Sequence, residues 1–198
     1  MPFIFKRLAL FLSITAGFAA DKETGTFRAA PATSYEHHQI NDMVTVGVEP
    51  YQTPEKEKTV FGKLDLYQYG VLPVLVVIQN DGSQAIRLEG LKVEYLGPTG
   101  NHVEATPAGD VRYLQGPNTP PVVPGPTGPL PRRIKKSPLN AWEVEGRAFA
   151  AKMLPAGQSA SGFFYFQTGL QRGSKIYLSG LTEATSGKAL FYYEIPLE

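Results

Sequence analysis

The chain has 198 residues, of which 42% are hydrophobic and 19% are charged, with a formal net charge of +1 and no cysteine. This length is enough for one domain that buries about 70% of its unfolded surface. The lack of cysteine excludes disulfides, thiolate metal sites and a cysteine nucleophile. The near-neutral charge argues against binding to nucleic acid, which depends on many unneutralised Lys and Arg side chains.

The first 19 residues have the pattern of an export signal. Lys6 and Arg7 form its charged region, residues 8–16 its apolar region, and Gly17 and Ala19 the small residues of a cleavage site. The apolar run is shorter than the roughly 20 residues of a membrane anchor. We therefore expect cleavage after Ala19, no transmembrane span afterwards, and an exported protein that is periplasmic or extracellular. Cleavage removes two positive charges and leaves a formal net charge of −1.

The next segments predict a leader, a strand and a short helix. Residues 20–41 are polar and lack periodicity, which indicates a flexible leader. Residues 43–48 alternate with valines on one face, as in a half-buried strand. A helix should follow, because Thr53 is a good cap, Pro54 suits the first turn and Gly62 is a good stop.

Residues 71–78 form an uncharged run rich in β-branched side chains, which predicts the central strand of the core. Because Pro73 cannot donate to a ladder, we expect regular pairing to start at Val74. The Asp81-Gly82 dipeptide favours a tight turn, after which residues 86–88 would pair back onto the central strand.

Further alternating or aromatic segments predict additional strands at residues 91–96, 102–105, 162–167, 175–179 and 190–195. Short strands separated by turns at this spacing indicate antiparallel pairing. The predicted fold is all-β, an antiparallel β-sandwich over residues 42–198 with one or two short helices.

Residues 116–138 interrupt this pattern with eight prolines and three glycines. Prolines lack a backbone donor, so the segment should be an exposed loop. It ends in concentrated positive charge and is followed by a short predicted helix over residues 141–145. The candidate contact residues are Arg132, Arg133, Lys135, Lys136 and Trp142. Their expected partner is an anionic envelope polymer or an envelope protein, although such a run can also serve solubility alone.

Three stretches together carry a resemblance. They are the hydrophobic strand ending at Asn80, the alternating strand at residues 91–96 with its glycine-containing turn, and the Leu154-Pro155-x-Gly157 turn before an aromatic strand that reaches Phe166. This pattern resembles secreted bacterial immunoglobulin-like domains over roughly residues 42–195. The resemblance implies that the fold is an antiparallel immunoglobulin-like β-sandwich and that the protein is an all-β exported module, often of unassigned function, and none of its motifs is catalytic.

Catalytic and metal-binding chemistry has weaker support, and we expect no enzyme activity and no cofactor. Residues 157–161 miss the G-x-S-x-G nucleophile elbow, because Ser161 stands where the motif has glycine. His37, His38 and His102 lack metal-ligand spacing, although with Met43 they leave open an exported copper carrier.

Two alternatives involve glycans. Acidic side chains at positions 94, 104 and 110 are candidates for the acid and base of a glycan-acting envelope enzyme, but their spacing selects no pair: Glu94, Glu104 and Asp110. Exposed aromatic rings are candidates for a carbohydrate-binding platform, with core packing as the competing explanation: Tyr67, Tyr69, Trp142, Tyr192 and Tyr193. The expected function is a non-enzymatic binding or structural module of the bacterial cell envelope.

Overall fold

The structure is a computed structural model that describes residues 27–114, 139 and 142–198. The predicted signal, the proline-rich loop and its four basic residues lie outside these ranges. The strands of the described part are β1 (His37–Asn41), β2 (Val44–Pro50), β3 (Leu72–Asn80), β4 (Ile86–Arg87), β5 (Lys92–Leu96), β6 (His102–Glu104), β7 (Met153–Leu154), β8 (Ser159–Phe166), β9 (Lys175–Ser179), β10 (Thr182–Glu183) and β11 (Tyr193–Pro196). The helices are α1 (Pro54–Phe61) and α2 (Trp142–Gly146), and short 3₁₀ turns span Ala32–Ser34, Tyr67–Tyr69 and Val111–Tyr113.

The strands form three antiparallel sheets. The first sheet has the order β1-β2-β3-β8, the second sheet β11-β9-β5-β6, and the small sheet β10-β4-β7. One hydrophobic core contains side chains of all three sheets, and another lies on the opposite face of the first sheet. The all-β prediction is therefore confirmed. Among the described residues, no helix has the length and apolar character needed to cross a bilayer.

The central position of β3 explains its uncharged sequence. Val74, Val76 and Ile78 point into the core shared by the sheets, whereas Leu75 and Val77 point into the core on the opposite face. A strand that is buried on both faces reads as a continuous apolar run. The prediction of a central strand is confirmed, and this strand buries residues in two cores.

Helix α1 forms where the local signals predicted it. The Thr53 hydroxyl accepts a hydrogen bond from the Lys56 amide at 3.4 Å, and Gly62 ends the helix with φ of +67°. Val60 and Phe61 on its last turn are buried against the outer face of the first sheet. The helix thus covers the sheet on one side and positions Lys58 at the surface.

The predicted leader is partly wrong, because β1 lies inside residues 20–41. Its five residues pair with β2 as an edge strand, from His37 opposite Val48 to Asn41 opposite Val44. Between the two strands, Asp42 and Met43 form the turn with φ of +46° and +63°. Met43 therefore belongs to the turn, and the strand that was expected at residue 43 begins one residue later.

Two expectations about β3 are also corrected. Its second neighbour is β8, and β4 pairs with β7 and β10 in the small sheet. Pairing includes Pro73, which lies opposite Tyr165. The Pro73 carbonyl accepts from the Tyr51 amide at 2.9 Å. The amide and carbonyl groups of one strand residue point to the same side of the strand. The N–H group that Pro73 lacks would therefore face the end of β2, where the β2–β3 ladder stops, and no ladder hydrogen bond is lost.

Glu57 on α1 is an ionisable residue with 0% exposure. Its carboxyl group accepts hydrogen bonds from the backbone amides of Leu66 and Tyr67 at the start of a 3₁₀ turn. Burial raises the pKa of Glu57 to about 8, the nearby Asp65 adds to the rise, and the two amide donors oppose it. The folded protein therefore holds a proton on Glu57 at pH values where an exposed glutamate has lost it.

We expect the stability that Glu57 contributes, measured relative to Glu57→Gln, to be greatest below pH 4.5 and to fall as the pH rises towards 8. In this range the folded state binds more protons than the unfolded state, so the free energy of unfolding decreases with pH. The slope is at most about 1.4 kcal/mol per pH unit. Urea unfolding of both proteins at pH 5, 6, 7 and 8 measures it. A constant difference between the two proteins would show that the pKa of Glu57 is not raised.

Candidate functional site

Of the five sequence-predicted contact residues, Trp142 lies within the described residues. It opens α2, and 74% of its side chain is exposed. Such exposure is unusual for tryptophan, whose large apolar surface is normally covered by neighbouring side chains. Trp142 is therefore the starting point for the candidate site.

Trp142 lines an open groove on the outer side of the first sheet. The groove has a volume of about 630 Å³ and lies among the start of the described chain, α1, α2 and β8. This volume is within the range of about 300–1,000 Å³ that is typical of small-ligand sites. Its lining includes the side chains of Phe27, Lys58, Trp142, Glu143, Arg147 and Ser161. We call this feature the Trp142 groove.

Gly146 allows the indole ring of Trp142 to lie close to the helix backbone. It lies one helical turn after Trp142, and a Cβ atom added to it would be 3.3 Å from Cε3 and 3.4 Å from Cζ3 of that ring. Glycine lowers helix stability by roughly 1 kcal/mol relative to alanine. Here its lack of a side chain lets the indole lie close to the helix backbone.

Arg147 supplies a positive charge to the lining of the Trp142 groove. Its guanidinium carbon lies 5.8 Å from the centroid of the Phe27 ring, a cation–π arrangement. Its Nε atom is buried and has no hydrogen-bond partner among the described residues. The backbone of Arg147 is fixed, because its carbonyl accepts from the Phe163 amide at 2.9 Å. Arg147 is thus held in the groove with part of its donor capacity unused.

The charges of the groove favour an anion. Lys58 and Arg147 contribute two positive charges, and Glu143 contributes one negative charge. Glu145, the other acid of α2, lies outside the lining and forms an ion pair with Arg112 at 3.8 Å. The described lining therefore has a net charge of +1.

A second groove lies between β5, β6 and β8 and has a volume of about 490 Å³. Glu94 and Glu104 both line it and face each other as cross-strand partners. Two glutamates in this register repel each other. The rings of Phe149 and Phe164 stack in the same groove with centroids 5.5 Å apart. The structure thus brings together two of the three predicted carboxylates, whereas Asp110 precedes a 3₁₀ turn outside this lining.

The five aromatic residues of the hypothetical sugar platform do not share one surface. Tyr193 is in the core, where its hydroxyl donates to the carbonyls of Asn41 and Val44. Tyr192 is 55% exposed and its ring lies 5.4 Å from that of Tyr177, on the second sheet. Tyr67 and Tyr69 are half-buried against different cores, and Trp142 lies over the first sheet, so the five rings do not form one platform.

The histidines that were considered for copper binding lie on different sheets. His37 and His38 belong to β1 in the first sheet, and His102 belongs to β6 in the second sheet, 3.6 Å from a Glu94 oxygen. Within residues 27–114, 139 and 142–198, no three His, Asp or Glu side chains are grouped to hold a metal ion.

No protein-family model and no curated protein matches the chain. Matching solved structures include ycdA of Bacillus subtilis subsp. subtilis str. 168, a candidate lipoprotein, at 12% identity and a TM-score of 0.38. That match covers 85% of this chain and 39% of the other chain. A functionally unknown protein of Listeria monocytogenes EGD-e matches at 11% identity and a TM-score of 0.37, with 81% of each chain covered. At these scores neither neighbour carries an argument about this protein.

Proposed function

We propose that the protein is an exported, non-enzymatic binding module of the bacterial cell envelope, built on an immunoglobulin-like β-sandwich, with the Trp142 groove as its contact surface. The observation that carries this proposal is an indole that is 74% exposed in a groove whose described lining also contains the partly exposed side chain of Arg147. Support for export comes from the signal pattern in the first 19 residues.

The residues of the groove are those that give binding energy at protein surfaces. Trp and Arg are enriched among the residues that dominate interface energetics, because they bury large areas and make several hydrogen bonds. In the free protein, the Trp142 surface lies in water and Arg147 Nε is left without a bond. A ligand that covers the indole removes this apolar surface from water, and an anionic ligand also pairs with the positive charge of the partly exposed Arg147 side chain.

The charge of the groove supports an anionic partner, either an envelope polymer or an acidic envelope protein. The four basic residues at positions 132, 133, 135 and 136 precede α2 by a few residues and would add to the positive charge of Lys58 and Arg147. At 0.15 M salt the Debye length is about 8 Å, so these charges act locally. Binding should therefore weaken as the salt concentration rises.

We expect Trp142→Ala to reduce retention of the mature protein on isolated envelopes by about 30-fold, the effect of losing a binding hot spot of roughly 2 kcal/mol. Phe191→Ala is the matched control, because Phe191 is 64% exposed and is not part of the groove lining. Sedimentation with envelopes at 0.05 and 0.5 M NaCl measures retention. Equal retention of the parent and of Trp142→Ala at both salt concentrations would rule out the groove as the contact surface.

A glycan-acting envelope enzyme is the second candidate function, and it is favoured by the pair of glutamates at positions 94 and 104 in the other groove. Glycosidases use two carboxyl groups on either side of the bond that they cleave. Release of reducing sugar from isolated envelopes by the parent, but not by Glu94→Gln or Glu104→Gln, would support this function and contradict a purely binding role.

A further inference from the structure

We infer that the Trp142 groove binds an acidic sugar residue of a glycan, with the indole covering the sugar ring and Arg147 pairing with the carboxylate or phosphate that the ring carries. This inference rests on the proposed function and names the class of ligand for the same groove.

The indole provides a surface suited to a sugar ring. The six-membered part of the Trp142 ring lies against Gly146, while 74% of the side chain remains exposed to a ligand. A pyranose has apolar C–H groups on its faces and hydroxyl groups around its edge. A flat apolar ring next to polar groups matches this distribution, since aromatic residues combine a large contact area with fixed geometry.

Arg147 supplies the selectivity for acid. A guanidinium group binds carboxylate or phosphate through two parallel hydrogen bonds, which gives both energy and a defined orientation. The ring of Phe27 supports this group, and the Arg147 side chain is partly exposed in the groove. A neutral sugar would leave the positive charge without an anion. An acidic sugar supplies an anion that pairs with Arg147 in the same groove as the exposed indole.

The remaining polar groups of the lining suit sugar hydroxyls. Ser161 is exposed on β8, Glu143 follows Trp142 on α2, and Lys58 lies on the last turn of α1. A serine hydroxyl, a carboxylate and an ammonium group are able to donate to or accept from sugar hydroxyl groups. Together with Trp142 and Arg147, they form the mixture of apolar and convergent polar groups that is typical of small-ligand sites.

The test is calorimetric titration of the mature protein with tri-galacturonate, with its methyl ester, with glucose 6-phosphate and with glutarate. The ester keeps the rings and removes the charge, whereas glutarate keeps the charge and has no ring. We expect tri-galacturonate or glucose 6-phosphate to bind at least tenfold more tightly than the ester and glutarate. The stronger of these two identifies carboxylate or phosphate as the preferred anion. Equal affinity for acid and ester, or no binding of either acidic sugar, overturns the inference.

Variants separate the roles of the two residues. Arg147→Gln should abolish the preference for acid over ester, whereas Arg87→Gln, at an exposed arginine on β4, should preserve it. Gly146→Ala should weaken binding of both sugars severalfold, because the added methyl group displaces the indole. Circular dichroism and melting temperatures verify that the variants are folded. An unchanged acid preference in folded Arg147→Gln contradicts the role of Arg147.

The outcomes distinguish this inference from the proposed function. If Trp142→Ala loses envelope retention while the parent binds no acidic sugar, the groove contacts the envelope through another ligand and this inference fails. If the parent binds tri-galacturonate through Arg147 but Trp142→Ala keeps full envelope retention, the sugar site stands and the proposed envelope contact fails.

Discussion

Asn80→Asp is expected to lower the free energy of unfolding by about 3–5 kcal/mol, more than Asn80→Ala. Asn80 is 1% exposed, and its Nδ2 atom donates to the carbonyls of Gln84, Leu154 and Pro155 at 2.8, 3.2 and 3.1 Å. Its Oδ1 atom accepts from the Gly82 amide at 3.1 Å. An aspartate keeps the acceptor, loses the donor and places a buried negative charge against three carbonyl oxygens.

Urea unfolding at pH 7 and pH 4 measures this effect. Asn80→Asp should recover part of its loss at pH 4, because a protonated carboxyl group can donate to one carbonyl. Asn101→Asp is the matched control. Asn101 is exposed and its Oδ1 accepts from Thr99, an interaction that aspartate also makes, so the loss should stay below about 0.5 kcal/mol. Equal losses for Asn80→Asp and Asn80→Ala would mean that the buried carboxylate is not destabilised by the three carbonyl oxygens.

Gly162→Ala is expected to lower the free energy of unfolding by about 3 kcal/mol, the upper part of the usual range for overpacking. A Cβ atom at this position of β8 would lie 2.6 Å from the Phe149 amide nitrogen and 2.9 Å from the Ala148 carbonyl carbon. Both are backbone atoms. The segment that contains them is held by hydrogen bonds to Phe163 from both directions, so it cannot move away without breaking them.

The neighbouring substitution Ser161→Ala is the control, because Ser161 is exposed and its side chain should contribute under about 0.5 kcal/mol. Thermal unfolding of both variants and the parent provides the comparison. For a domain of this size, a loss of 3 kcal/mol corresponds to about 6–12 °C in melting temperature. A melting temperature of Gly162→Ala within 2 °C of the parent would show that the contact with residues 148–149 is loose.

Features encoded by adjacent residues could be predicted from the sequence. Thr53, Pro54 and Gly62 define α1 within ten residues, and the observed helix has the expected start and end. The uncharged composition of residues 71–78 likewise identified the central strand. Both signals are local, since capping, proline geometry and burial on two faces each depend on a short stretch of chain.

Pairing between distant segments could not be predicted in the same way. Val76 pairs with Gly162, 86 residues later, and a local hairpin with residues 86–88 was the simpler expectation. The β1–β2 turn was missed because Asp42-Met43 lacks the glycine that usually accepts positive φ at its second position. Register and partner choice depend on side chains from several segments, which a single pattern does not contain.

The candidate site was predicted in part. Trp142 was selected as a contact residue, whereas Phe27, Lys58 and Arg147 come from three separate segments and had no shared motif. One local signal was available. Gly146 follows Trp142 at the spacing of one helical turn, so the neighbouring position on the helix surface has no side chain beside the indole.

The contacts along the edges of the first sheet affect how readily the protein aggregates. On its outer edge, β8 is joined by an antiparallel bridge between Thr106 and Tyr165 and a parallel bridge between Ala148 and Phe163. At the opposite edge, Gln39 on β1 accepts from the Glu194 amide of β11. Unpaired edges act as templates for strands of other molecules. Because backbone groups of β8 are engaged in these bridges, the folded protein should resist strand pairing with other molecules at that edge, even at high local concentration.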